Sequence, residues 1–276
     1  MKFTLTALAI FCFFSLFAQQ SDSVTYYFNK AETEKTQRLY SQASRSFERA
    51  IAFDSAYLAA YLQNAYVQLA MKRMDAAIYY FTKVHELDPG NAKVSGELMQ
   101  LYYNYRQLKK ATEFAKKCND CPGASKVLGM SYYRQDDYPK AEKALLKALQ
   151  QDSSDAEVTY TLARSYYDME LPNQAVTYYE KAVLLDPKKS NWYNELGLLQ
   201  FNQNNYKKAV EAFTLAAEKG FKVDNDFNEN LGYAMLYNGD YNKGEQLILG
   251  VWQIKPGNKE LLRDLSELLY RQKQYD

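Results

Sequence analysis

The chain has 276 residues, 47% of them hydrophobic and 24% charged, a composition ordinary for folded proteins that argues against disorder over most of its length. Its 34 Lys and Arg nearly balance 33 Asp and Glu, for a formal net charge of +1. That balance argues against a general binder of nucleic acid or anionic membranes, since both need a basic surface to replace counterions.

The first element in chain order is MKFTLTALAIFCFFSLFA, residues 1-18, with one lysine before an apolar run and Ala18 ahead of QQSDS. This is the layout of a secretory signal peptide, and it predicts export to the periplasm or exterior of a bacterial envelope. A retained anchor is the competing reading. The run is shorter than the roughly 20 apolar residues a spanning helix needs, and no basic stop-transfer cluster follows. Cys12 follows Phe11 rather than a small residue, which argues against lipid attachment. Residues 19-23 read as a short flexible N-terminus.

From residue 24 onward the sequence repeats. LGMSYYRQDDYPKA at 128-141 returns as LARSYYDMELPNQA at 162-175, LGLLQFNQNNYKKA at 196-209 and LGYAMLYNGDYNKG at 231-244, at spacings of 34, 34 and 35 residues. A fixed period in this range signals a stack of identical supersecondary units. Each unit begins with a helix carrying a filler and a small residue (Leu128/Gly129, Leu162/Ala163, Leu196/Gly197, Leu231/Gly232), a pairing that lets two helices approach closely. A second helix follows with a small column (Ala141, Ala175, Ala209, Gly244), a large apolar column (Leu145, Tyr179, Phe213, Ile248) and a smaller one (Ala148, Ala182, Ala216, Val251). Steps of four, three and seven place these columns on one helical face. Pro187 and Pro256 stop the second helix. The register extends upstream to Ala77, Phe81, Val84 and Pro89, and to Ala43, Phe47 and Ala50.

These columns resemble the tetratricopeptide repeat, a helix-turn-helix unit with a small residue and an aromatic in its first helix, alanine and an aromatic in its second, then proline. The resemblance spans almost all of 24-276 as seven units, 24-57, 58-91, 92-121, 122-155, 156-189, 190-223 and 225-258, plus a capping helix at 259-276. It implies an all-α fold: a right-handed superhelical solenoid of antiparallel helix pairs with one continuous core. The first unit departs from the pattern, with Lys30 at the filler position and Glu34 at an aromatic one, as expected of a terminal capping helix that faces solvent on one side. The third unit is short and closes on CNDCPG, so its second helix should end about one turn early.

Chemistry is sparse. His85, the only histidine, sits in the last turn of a second helix, where interaction with the helix dipole and carbonyls predicts a surface cap. No catalytic triad can be assembled around it, zinc sites built from several His and Cys are excluded by count, and no phosphate-binding glycine loop occurs. No cofactor or metal is implied. Cys118 and Cys121 allow three readings: a local disulfide, free thiols, or a redox pair, the last lacking the strand-helix context of a thioredoxin-like motif.

What remains is a surface. Tyr103, Tyr133, Tyr167 and Phe201 form a column on the first helices, and Tyr66, Tyr160 and Tyr233 lie on the same side. In tetratricopeptide arrays this side lines the concave ligand groove, and its basic or amide members here would be Lys126, Arg134, Arg164, Asn194 and Asn202. Two readings stay open: ligand contact through tyrosine's broad face and polar tip, or simple packing against the next repeat. The lysine and asparagine arrangement with which chaperone-binding members clamp a terminal carboxylate is not reproduced. The expected function is a noncatalytic scaffold holding a protein or peptide partner in the groove, with a cell-wall glycan binder as the alternative.

Overall fold

The computed structural model describes residues 21–118, 121–254 and 256–273. The segment read as a signal peptide, 1–18, lies outside the described residues. All regular structure among the described residues is α-helical. In chain order it runs α1 (21–36), α2 (Tyr40–Phe53), α3 (Leu58–Ala70), α4 (Met74–Leu87), α5 (Ala92–Asn104), α6 (Leu108–Lys117) and α7 (Ala124–Tyr133). It continues with α8 (Tyr138–Gln151), α9 (Ala156–Asp168), α10 (Pro172–Leu185), α11 (Ser190–Asn202), α12 (Tyr206–Glu218), α13 (Asn225–Asn238), α14 (Tyr241–Ile254) and α15 (Lys259–Lys273). The chain divides between Ser131 and Tyr132, inside α7, into two compact units.

Each unit is a stack of helix hairpins. In the first, α3 packs on α4 and α5 on α6, while α2/α3 and α4/α5 join successive hairpins; in the second, the pairs α9/α10, α11/α12 and α13/α14 are joined through α8/α9, α10/α11 and α12/α13, and α15 packs on α14. The columns of the second helices form the cores. Phe47 and Phe81 in the first unit, and Leu145, Phe213 and Ile248 in the second, are wholly buried, and Tyr179 nearly so. Burying such a side chain stabilises by roughly 1.5–3 kcal/mol.

Close approach of the paired helices explains the small residue beside the filler. A Cβ on Gly197 would sit 2.7 Å from Phe213 Cδ1, and one on Gly232 would sit 3.0 Å from Ile248 Cδ1. Small residue and large residue are therefore two halves of one contact, made at the same place in consecutive hairpins.

The turns inside the hairpins repeat as closely as the cores. Arg38, Lys72, Arg106, Asp136, Glu170 and Asn204 all have φ between 56° and 61°, and Gly239 follows at 93°. At each, that residue's amide bonds back three residues and the next amide bonds back five, as in Lys72 N to Leu69 O and Arg73 N to Gln68 O, both 2.9 Å. This double bond pattern is the Schellman motif, which satisfies the last carbonyls of a helix by a left-handed residue. Six of the seven positions carry side chains that pay the left-handed conformational cost, about 1–2 kcal/mol, against these bonds. Four of the second helices end differently. Asp54, Asp88, Asp152 and Asp186 follow α2, α4, α8 and α10, and three of them accept from a backbone amide two residues on: Ala56, Ser154 and Lys188. This starts the turn into the next hairpin.

Three local expectations meet particular outcomes. Helix α6 has 10 residues where its counterparts α2, α4, α8 and α10 have 14, and it closes on a Cys118–Cys121 disulfide, Cα atoms 5.3 Å apart, with Cys121 Sγ 3.0 Å from the Ala92 carbonyl. His85 is not a surface cap. Its ring packs edge-on against Phe114 of α6 at 5.1 Å and its Nδ1 is buried. Nor does Glu34 face solvent: its side chain is 13% exposed and accepts from Ser46 Oγ at 2.7 Å, since α2 covers that side of α1.

Candidate functional site

Three tyrosines of the first-helix row, Tyr66, Tyr133 and Tyr160, are held by carboxylates from the following hairpin. In the first unit Tyr66 packs edge-on against Phe81 at 5.2 Å, lies under the Lys93 ammonium at 5.2 Å, and donates to Glu97 Oε1 at 3.4 Å. Tyr103 is half-buried against the core of that unit, and Lys126 is half-buried on α7.

The second unit gathers more of the row. Tyr133 at the end of α7 donates to Asp168 Oδ2 at 3.1 Å, with the Arg164 guanidinium 5.8 Å from its ring centre. Arg164 also interacts with the Tyr160 hydroxyl. Tyr160 donates to Glu195 (2.8 Å to Oε1), and Tyr179, from the core column of α10, donates to the same carboxylate at 2.7 Å. The Tyr160 ring stacks on Trp192 at 4.5 Å with an 11° tilt. One acid thus joins α9, α10 and α11. Burial, reinforced by Glu195, pushes the Tyr160 hydroxyl up to about 12, and the same causes raise Tyr179. Burial also raises Tyr133, with Arg164 opposing and Asp168 reinforcing.

Other members of the row are more exposed or pack elsewhere. Tyr167 is 48% exposed, and Arg134 and Asn202 are exposed on the same helices' ends. Asn194 is half-buried on α11. Tyr233 packs with the core of α13–α15 and is pushed up to about 12 by burial, then by Asp264 and Glu229. Phe201 belongs to a separate aromatic group with Tyr206 at 5.6 Å and Tyr237 at 6.0 Å.

Sequence reading missed the acids. Asp168 and Glu195 each lie 35 residues after the tyrosine they hold, so a carboxylate at one period beyond the aromatic was the available signal. It also missed the opposite side of the second unit. There Leu184, 77% exposed, borders two apolar grooves of about 510 and 380 Å³, one between α8 and α10 lined by Leu146, Leu149 and Tyr178, the other between α10 and α12 lined by Val183 and Leu215. Among the described residues no helix is long and apolar enough to cross a membrane, and no group of three or more His, Cys, Asp or Glu is placed to hold a metal ion.

Comparison with known proteins agrees with this geometry. Tetratricopeptide repeat models match residues 68–117 and 160–222. The chain is 30% identical over 154 residues to the signal recognition particle receptor FtsY of Aquifex aeolicus (strain VF5), covering 49% of this chain and 32% of that protein. It is 29% identical over 103 residues to the Hsp70-Hsp90 organizing protein of Triticum aestivum, covering 37% of this chain and 17% of that one. The chain spans a third or less of the length of these curated relatives. A crystal structure of the C-terminal part of a TPR repeat-containing protein from Cytophaga hutchinsonii superposes with a TM-score of 0.63 at 17% identity, over 86% of this chain and 99% of that one. Helix hairpins of constant period, the small-against-large contact between their helices and these matches together give the chain the fold of a tetratricopeptide-repeat array, all-α and built of helix pairs.

Proposed function

We propose that the chain is a noncatalytic scaffold or adaptor, exported to the periplasm or cell exterior, that holds a segment of a protein partner on the first-helix row of its second unit. The observation that carries this reading is the Glu195 network. By bonding Tyr160 and Tyr179 it fixes the row before a partner arrives, while Tyr167, Arg134 and Asn202 stand exposed on the helices alongside. A preorganised surface spares a partner the cost of ordering each side chain, about 0.5–1.5 kcal/mol apiece. Interaction with proteins is the general role of such repeats, and one similar protein, from wheat, is named as an organizing protein of Hsp70 and Hsp90. Export rests on residues 1–18 and their signal-peptide layout.

A glycan on the same row takes second place. It needs tyrosine faces and hydroxyls, and in this row Trp192 covers the Tyr160 face while Asp168 and Glu195 hold the hydroxyls of Tyr133 and Tyr160.

Affinity capture from an envelope fraction of the native cells tests the reading, with Arg134→Ala/Tyr167→Ala/Asn202→Ala as the control, because these three are the exposed members of the row. Circular dichroism establishes that the control stays helical. A partner kept by the parent and lost by the control supports the row; a partner kept by the control and lost by Leu184→Asp moves binding to the apolar grooves. Mass analysis of the native protein tests export, and a chain retaining residues 1–18 sinks it.

A further inference from the structure

Tyr237 breaks the pattern of its own position. Two residues before the left-handed turn residue, the other hairpins carry Thr36, Ala70, Asn104, Arg134, Asp168 and Asn202, all small or polar, whereas the last carries an aromatic that is 47% exposed. Its ring stacks on Tyr206 at 4.8 Å with a 17° tilt, and Phe201 meets both rings edge-on. The equivalent junction one pair of repeats earlier closes with Asp168 in this place, so the fold does not require an aromatic here.

Beside the stacked pair is an open pocket of about 340 Å³, whose lining includes Asn204, Asn205, Tyr206, Lys207, Tyr237 and Asn238. Its size is at the low end of small-molecule sites, about 300–1,000 Å³, and suits a compact ring system rather than a long segment. Hydrogen bonds within the protein hold one end of each amide: Asn204 Oδ1 accepts from Tyr206 at 2.7 Å, Asn205 Nδ2 donates to Gln200 at 3.0 Å, and Asn238 Nδ2 donates to Asp240 at 2.9 Å. The opposite ends are one donor, Asn204 Nδ2, and two acceptors, Asn205 Oδ1 and Asn238 Oδ1.

We propose that this pocket is a binding site for a neutral carbohydrate ring, which lies against the Tyr206–Tyr237 pair and exchanges hydroxyl hydrogen bonds with the three asparagines. A sugar hydroxyl both donates and accepts, so it satisfies the amide donor and the two amide acceptors alike. An uninterrupted run of prolines offers carbonyl acceptors and no N–H, so it would leave both asparagine oxygens without a donor. A nucleic acid would need a basic surface, and of the two lysines that line the pocket, Lys207 and Lys208, the second is paired with Glu180 at 3.0 Å. The site shares none of the three residues altered in the control variant above, so it stands or falls separately from the scaffold reading.

The test is a titration of the full chain with neutral oligomers of β-1,4-glucose, β-1,4-N-acetylglucosamine and α-1,4-glucose, followed by calorimetry and by the asparagine side-chain amide signals in NMR. At least one oligomer is expected to bind saturably with a Kd on the order of 1 mM or tighter. Tyr237→Asn, which installs the residue that Asn104 and Asn202 already place at this position, should weaken that binding about tenfold or more, as should Tyr206→Ala. Arg134→Ala/Tyr167→Ala/Asn202→Ala should bind as the parent does. Absence of saturable binding by every oligomer up to about 10 mM overturns the proposal. So does binding unaffected by Tyr237→Asn, or a proline-rich peptide that binds in the pocket where the sugars do not.

Discussion

At the end of α7, Tyr133 lies 5.9 Å from Tyr138 and donates to Asp168 at 3.1 Å; at the matching place in a later repeat, Phe201 lies 5.6 Å from Tyr206 and Tyr237 takes the place of Asp168. The frame of the two junctions is the same, a helix end closed by a left-handed residue, Asp136 in one and Asn204 in the other. Their contents differ. The earlier junction is held by a phenol and a carboxylate and continues through Arg164 into Tyr160 and Glu195. The later one is held by stacked rings. A repeat fixes where side chains meet and leaves open what they do there: the polar version ties its groups to each other, whereas the aromatic version leaves a ring face and three amides for a ligand.

The comparison can be broken most forcefully at the acid of the polar region. Glu195→Ala removes the acceptor of both Tyr160 and Tyr179, and it should destabilise the protein by about 3 kcal/mol in urea unfolding followed by circular dichroism, since each partly buried hydroxyl loses its partner. Asp168→Ala strands only Tyr133 and should cost about 1–2 kcal/mol in the same assay. Tyr237→Asn in the aromatic junction should cost about 1 kcal/mol or less, the worth of one exposed stacked pair. A loss at Tyr237 as large as that at Glu195 would mean that the aromatic group is structural after all.

Alkaline pH separates the regions further. Tyr160, held at about 12 in the folded chain against 10.0 as its ordinary value, adds stability that is fully present below pH 10 and is lost as pH rises toward 12. Unfolding free energy should therefore be level from neutral pH to about 10 and fall above it, and Tyr160→Phe should make that fall shallower. An unchanged slope in Tyr160→Phe would show that the hydroxyl keeps its ordinary value in the folded state. The smallest effect is expected at the shared frame. Glu170→Gly relieves a left-handed glutamate at φ 58° and should raise stability by about 0.5 kcal/mol, the relief being offset in part by the freer unfolded chain.

Much of the fold was legible because a repeat shows each constraint several times. Gly197 against Phe213 and Gly232 against Ile248 are the same contact, and two columns kept in step over one period identify it without coordinates. The site was legible only by column. Tyr133, Tyr160 and Tyr167 read alike in sequence, yet the first two are held by acids and the third is exposed, because each outcome depends on one side chain a full period away. His85 and Glu34 were misread for a related reason: their last-turn and terminal positions argue for solvent, but Phe114 covers one and Ser46 bonds the other.

The sequence by itself determined the hairpin, its period and the buried face of the second helices, since spacing along a helix dictates which residues share a side. It also carried the turn positions, although only the coordinates reveal the left-handed residue at each. Tertiary structure alone decided the partners: that Glu195 serves two tyrosines from different helices, that Leu184 lies open between two grooves, and that Tyr206 and Tyr237 stack. Hydrogen bonds and ring contacts are settled at distances of a few ångströms, and the order of residues along the chain does not encode which atoms close those distances when hairpins stack.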